Sequence, residues 1–547
     1  IILDQSNAFG SHVTMQAGDG SATFNDITFV DSAAVKLHSS AGSNGDLFIN
    51  AGTDLAISGD LNITATTGNI TQGAEVAVGA TSTFTTSASN GTIILNDADN
   101  AFTGAVAINT DGSSGNAAIV NGVSLILAAS TVDGTLTATA ATGDISNTGV
   151  LAIAGATTFI TTTNNRSIVL DQNNVFTSTV TMQAGNGSNA TFNNITFVNS
   201  AAVRLHSSAA SAGDLFINAS TDLAVGGNLS ITANTGDITE GAALAITGAS
   251  TFITTANNRS IILDQSNAFG SHVTMKAGDG SAAFNNITFV DSADVRLHSS
   301  AASAGDLFIN AGTDLDVDGS LNITATTGNI TQGSELDVGT TATFTTSASN
   351  GTITLNDADN TFTGAVALNT NGSSGNATIK NDRALLLAAS SVGGAFSATA
   401  TTGNITQSGA LAITGTSTLV TSANHGTITL TNTGNALTGK LLITTNDDSP
   451  GTLGTVNIDG GTTNLIIGLS TIDGNLTLRS GGTITDDGIA TVRGTLTATT
   501  DAGGSDITLN QLAVTGALTL APDGAGDVII VNAAGLNLAA STMGGTF

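Results

Sequence analysis

The chain has no cysteine, no tryptophan, no tyrosine and only two prolines in 547 residues. Without cysteine there is no disulfide scaffold and no thiolate-ligated zinc. Charge is scarce too: Asp, Glu, Lys and Arg make up 10% of the sequence, against roughly a quarter of an ordinary globular protein. What charge there is has one sign, 41 acidic residues against 11 basic for a net −30. Such a surface repels phosphate, which argues against a nucleic-acid partner. No apolar run approaches the roughly 18 residues of a membrane-spanning helix. Sparse charge with a positive mean hydropathy also separates the chain from disordered sequences.

What is present is repetition. Ile1–Gly10 reads IILDQSNAFG and Ile261–Gly270 repeats it, and 83 of the first 100 positions are identical at that offset. A shorter period lies inside, marked by Phe9, Phe102, Phe176, Phe269, Phe362 and Leu437. Its steps come in two lengths, a long one as from Phe9 to Phe102 and a short one as from Phe102 to Phe176. Long modules carry an additional stretch, V-(K/R)-L-H-S-S…GDLFINA, at 35–51, 203–219 and 295–311. A finer echo of about 21 residues links Leu55 to Val76, Leu223 to Leu244 and Asp314 to Glu335.

A removable unit of about 18–21 residues is the size of one β-solenoid coil. A string of immunoglobulin-like sandwiches is the rival reading, but a closed sheet pair cannot readily lose two strands. Short β-branched segments such as Leu61-Asn-Ile-Thr-Ala, bounded by Gly, Asn, Asp or Ser, read as strands and tight turns. No window sustains helical periodicity. The expected fold is therefore all-β, a parallel β-solenoid of about 18–21-residue coils. About 27 coils at ~4.8 Å spacing would form an elongated rod on the order of 130 Å long. Phe, Leu, Ile and Val in register would form its core, and turn Asn residues could form amide ladders. A long module fits either four or five coils.

The repeats divide the chain into a first super-repeat over 1–260, a second, partial one over 261–440, and diverged coils over 441–547 continuing the same rod. Both termini fall within the repeat pattern, so the expectation is a window on a longer array.

The recurrent wording Gly-Asn-Ile-Thr-Gln, Leu-Ala-Ile-Thr-Gly and Gly-Thr-Ile-Thr-Leu occurs at Gly68–Gln72, Gly328–Gln332, Leu411–Gly415 and Gly426–Leu430. It resembles the β-strand repeats of very large bacterial surface proteins of the filamentous-haemagglutinin type. The resemblance implies a right-handed parallel β-helix, export to the cell surface, and a role as adhesin or fibrous stalk. It implies no catalytic residues. The partners implied are a host or neighbouring-cell surface, or other copies of the chain.

Five acids stand out as a candidate metal site. Asp314, Asp316 and Asp318 alternate along one strand. Glu335 and Asp337 follow at the distance of the finer echo, and stack beside them if that echo is one coil. Crowded carboxylates are relieved by Ca²⁺ with its oxygen ligands, so calcium is the one cofactor considered. The alternative is a solvated acidic face, since the first copy has Ala56, Ser58 and Ala77 instead. The pairs Asp97/Asp99 and Asp357/Asp359 resemble a calcium D-x-D fragment but lack the remaining loop, and read better as turn residues. Lys36/His38, Arg204/His206 and Arg296/His298 recur at a spacing of two and read as outward residues, salt-bridged to neighbouring Asp.

No acid is matched by enough basic residues to suggest glycan cleavage, so no enzyme activity is expected. Thr-x-Thr pairs such as those in Thr81-Ser-Thr-Phe-Thr raise an ice-binding array, but they shift and are interrupted by Asn, Ala or Asp. The leading expectation is a structural, rod-like segment of a giant extracellular bacterial surface protein. A self-assembling filament or sheath subunit is the second.

Overall fold

The computed structural model describes residues 1–15, 26–38, 43–49, 55–185, 193–206, 211–217, 223–278, 286–299, 303–309, 315–446 and 454–547. Its elements are all β-strands. Among the described residues no helix is long and apolar enough to cross a membrane. The strands pair in parallel, one coil above the next, as a β-solenoid of about 21 turns with about 23 residues each. Turns are thus fewer and longer than sequence spacing suggests. The chain forms two compact units, Ile1–Asp279 and Gly280–Phe547.

One coil of the first unit shows why the sequence winds this way. Leu61–Ala65, Ile70–Gln72 and Val76–Val78 are three short strands separated by turns. Leu61, Ile63 and Ala65 point inward and are fully buried, while Asn62 and Thr64 face out. This alternation is the period-two pattern of a strand buried on one side. The chain returns at Ser82–Ser89 with Phe84 directly above Ile63, and again at Val106–Asp111 with Ile108 above Phe84. Like layers therefore stack in register. Each fully buried aliphatic or Phe side chain contributes about 1.5–3 kcal/mol. Phe84 and Phe102 meet edge to face at 5.9 Å, whereas Phe176 and Phe197 stack at 5.4 Å.

Turn chemistry fixes the corners. Asn90, Asn350 and His425 hold the same left-handed conformation, φ 62°, 64° and 65°, each followed by glycine. Gly68 serves close approach instead: a Cβ there would lie 2.4 Å from the Ala34 nitrogen of the coil beneath. Gly236 meets Ala202 and Gly328 meets Asp294 in the same way. The recurring Thr-Gly-(Asn/Asp) thus lets adjacent coils touch backbone to backbone.

Each module contributes four strands that stack in register as one broad face. In the first these are Ile27–Asp31, Leu61–Ala65, Ser82–Ser89 and Val106–Asp111. The next module does not continue on top of them. Ala117–Asn121 pairs with the short strand Ile93–Leu95 of the adjoining side, and Val106–Asp111 is covered by Leu125–Leu127 and Ser130–Val132. The same transfer recurs in the second unit, where Ala377–Asn381 pairs with Ile353–Leu355 and Val456–Asp459 with Ile428–Leu430. Within each unit the broad face therefore changes sides at the module boundaries, and a long module is four strand layers.

The additional stretch of the long modules is not an ordinary extra coil. Asp46–Ile49 pairs below with Val13–Met15 and above with Val35–Leu37, although Val35–Leu37 precedes it in the chain. It is an out-of-order strand, a second rung on one side of a single coil. That coil, running from Ile27 to its partner Leu61, is accordingly longer than the one from Leu61 to Ser82.

Candidate functional site

The acidic cluster assembles in part. Leu315–Val317 pairs with Leu336–Val338 so that Asp316 faces Asp337 in register, the stacking expected from the finer echo. Asp337 is exposed, Asp316 and Glu335 are half-buried, and Asp318 sits exposed in the following turn. Asp314 lies outside the described residues. Thr361 continues the column above Asp337, and in the first copy the column is Ala56, Ala77 and Ala101. Among the described residues no group of three or more His, Asp and Glu converges as a metal-ligand set.

The D-x-D pairs are turn residues. The Asp97 Oδ1 accepts the Asp99 amide at 3.0 Å, and Asp357 accepts that of Asp359 at 3.1 Å. These are Asx turns closing on themselves. Other acids join successive coils: the Asp60 carboxylate accepts the Thr81 hydroxyl at 2.7 Å and its amide at 2.9 Å. Those donors hold the Asp60 carboxyl below the usual range.

The basic residues find the acids expected, supplied by the out-of-order strand. Arg204 Nη1 lies 3.4 Å from Asp214 Oδ1, and Arg296 Nε 3.6 Å from Asp306 Oδ1, while Lys36 is in register with Asp46. The three Asp residues are buried, and the second oxygen of each accepts a turn amide, from Ser43, Ser211 and Ser303. Of the companion histidines, His38 and His298 are half-buried on the outward side, and His206 departs from expectation. His206 is buried, and its ring lies edge-on to Phe216 at 6.3 Å; His12 and His38 take the same stance against Phe48. The inserted Phe packs against each ring, with His12 still exposed and His38 half-buried, a contact the sequence pattern alone does not display.

The most elaborate polar feature was invisible as a cluster, because its members lie on different coils. Asn100 is fully buried; its Oδ1 accepts the Val76 amide at 2.9 Å and its Nδ2 donates to the Val120 carbonyl at 3.0 Å. Gln72 pairs with it amide to amide. The pattern repeats as Gln332 with Asn360, Gln407 with Asn435 and Asn147 with Asn174. A second buried series, Asn121 and Asn381, holds the Phe102 and Phe362 backbones at both N–H and C=O. The amides are thus not a ladder of like on like. Each one splices the backbone of a neighbouring coil where the regular strand pairing lapses.

One open groove holds a compact charge cluster. Arg479 lies between Asp501, at 2.7 Å, and Asp459, at 3.8 Å, beside Asn457, Thr477 and Thr499. The three come from successive rungs, in which Asp459 pairs with Arg479 and Arg479 with Thr499. The arrangement pins three coils together, with the Arg satisfied by both acids.

Six successive segments, residues 44–109, 114–183, 192–276, 285–369, 374–444 and 452–524, match the model of one repeat family. Segments 114–183, 192–276, 285–369, 374–444 and 452–524 each cover one block of four stacked strands to within two residues, whereas 44–109 leaves out the first strand of its block, Ile27–Asp31. No curated protein and no solved structure matches the chain.

Proposed function

Since this chain belongs to the family of repeats of unknown function (DUF5649), we propose that it is a structural, rod-like segment of a giant extracellular bacterial surface protein. The observation that carries this reading is where the polar chemistry goes. Buried amides, the Asp60 carboxylate and the Arg479 cluster all join one coil to the next. A chain that commits its polar groups to holding its own coils is suited to bearing load and spanning distance. Repeat stacking supports the same reading, because length is added without a new core.

The finer identity rests on the resemblance to filamentous-haemagglutinin-type repeats, which supports export, exposure at the cell surface, and work as an adhesin or fibrous stalk. On this reading the segment carries no enzyme activity and needs no cofactor, with Ca²⁺ as an optional stabiliser at Asp316, Asp337 and their neighbours. The side-switching blocks weigh against the ice-binding alternative. A Thr-rich broad face is only four strands deep, about 14 Å at ordinary strand spacing, before it moves to another side. Self-assembly into a filament is the alternative to a stalk, opposed by the net charge of −30 unless cations bridge copies.

Electron microscopy of the native secreted protein separates these readings. Single slender fibres rooted on cells support the stalk. Long uniform filaments of many subunits overturn it in favour of the polymer.

A further inference from the structure

Five equivalent positions close the amide splice described above: Gln72, Asn147, Glu240, Gln332 and Gln407. Four are amides and one is an acid. In the amide coils the side chain both accepts and donates. The Gln407 Oε1 accepts from Asn435 Nδ2 at 3.1 Å and from the Asn432 amide at 3.1 Å. Its Nε2 donates to Asn435 Oδ1 at 2.9 Å and to the Gly409 carbonyl at 2.6 Å. Asn147 likewise donates to Asn174 Oδ1 at 2.8 Å and to the Gly149 carbonyl at 3.0 Å.

Glu240 reproduces the accepting half only. Its Oε1 accepts Asn267 Nδ2 at 2.9 Å and the Gln265 amide at 2.6 Å. Its Oε2, standing where the other coils place an NH₂, is buried without a hydrogen-bond partner. The groups that the NH₂ addresses elsewhere, the Asn oxygen and the carbonyl two residues on, are acceptors. A carboxylate therefore sets an acceptor against acceptors in a site 9% exposed, whereas a carboxylic acid has the missing donor.

We propose that Glu240 is a proton-operated latch: as the neutral acid it donates from Oε2 and splices its coil as the amides do, and on ionisation it opens that splice. The charged surroundings fit. Asp264, on the coil above, adds like charge, and the Glu240 carboxyl is pushed up from 4.5 to about 7, chiefly by burial. On the coil below, Arg204 and His206 lie around Gly241, beside Glu240, and Arg204 is engaged by Asp214. On its own segment Asp237 accepts the Ser260 amide at 2.9 Å. Because the folded value lies above that of an exposed glutamate, the stabilisation is complete below about 4.5 and is lost as pH rises through about 7. The first unit thus holds one coil whose closure weakens on the alkaline side of neutrality, while its sister coils do not respond.

The chain has only three glutamates, Glu75, Glu240 and Glu335, so carboxyl NMR of glutamate-labelled full-length chain resolves the titration directly. One resonance, lost in Glu240→Gln, is expected to titrate near neutrality; ordinary titration of all three overturns the proposal. Hydrogen exchange supplies the structural readout at the Leu244 amide, which donates to Asn267 Oδ1 at 2.7 Å, with Leu336 as the amide-coil counterpart. Between pH 6 and pH 8.5 the Leu244 protection factor should fall about tenfold while that of Leu336 holds, and Glu240→Gln should abolish the fall. Equal behaviour of the two amides in the wild type refutes the latch. So does loss of the response in Asp264→Asn, which would assign it to Asp264.

Discussion

Replacing Asn100 by Ala tests the splice most sharply. Asn100 is 0% exposed and holds the Val76 amide and Val120 carbonyl at 2.9 and 3.0 Å, besides both ends of the Gln72 side chain. Removing it strands one buried N–H, one buried C=O and a half-buried amide. Each buried group left without a partner costs about 1–3 kcal/mol. Allowing water to repair part of the damage leaves a loss of about 4 kcal/mol, large against the 5–15 kcal/mol of a typical domain. The control is Asn62→Ala, an outward residue on the neighbouring rung, which should stay within about 0.5 kcal/mol. Because coils open locally in repeat proteins, the assay is hydrogen exchange at Val76 alongside denaturant unfolding. Gln72→Ala with Asn100→Ala should cost clearly less than the two singly, since each removes the other's partner. A loss below about 1 kcal/mol for Asn100→Ala, with Val76 as protected as before, refutes the reasoning.

Other expectations follow from single contacts. Gly68→Ala forces a Cβ to 2.4 Å from the Ala34 nitrogen, so it should destabilise by more than the ~1–3 kcal/mol of ordinary overpacking, read by thermal unfolding. Phe84→Ala, in a column between Ile63 and Ile108, should cost about 3–5 kcal/mol, seen in the same scan. Asp337→Ala removes like charge facing Asp316 and should stabilise by a few tenths of a kcal/mol, less in high salt. Millimolar Ca²⁺ should raise the Tm of the wild type more than that of Asp337→Ala, and equal responses dismiss calcium there.

Much of the coil was legible in the sequence because its period is written in inward side chains. The echo from Leu55 to Val76 and from Leu223 to Leu244 is the observed register. The facing of Asp316 and Asp337 follows from the same spacing. The coil count was not legible, because turns absorb a varying number of residues: the coil from Leu61 to Ser82 is shorter than the next, from Ser82 to Val106. The stretch at 35–51 has the length of a coil, yet its strand Asp46–Ile49 inserts out of chain order. Spacing reports how many residues intervene and cannot report the order of rungs. Asn looked like a turn former because its partners are long-range; burial of Asn100 appears only once the coil is closed. Glu240 escaped notice for the same reason, as one letter among amides.

The absence of cysteine makes the coil register directly measurable. Thr64 pairs with Thr85 and Thr85 with Asn109, all outward on successive rungs. A disulfide needs Cα atoms within about 7 Å, which adjacent rungs at ~4.8 Å satisfy and rungs two apart do not. Oxidation of the full chain should therefore close T64C/T85C and T85C/N109C rapidly within one molecule, and leave T64C/N109C open. Failure of the first two, or ready closure of the third, would contradict a parallel solenoid wound in this register.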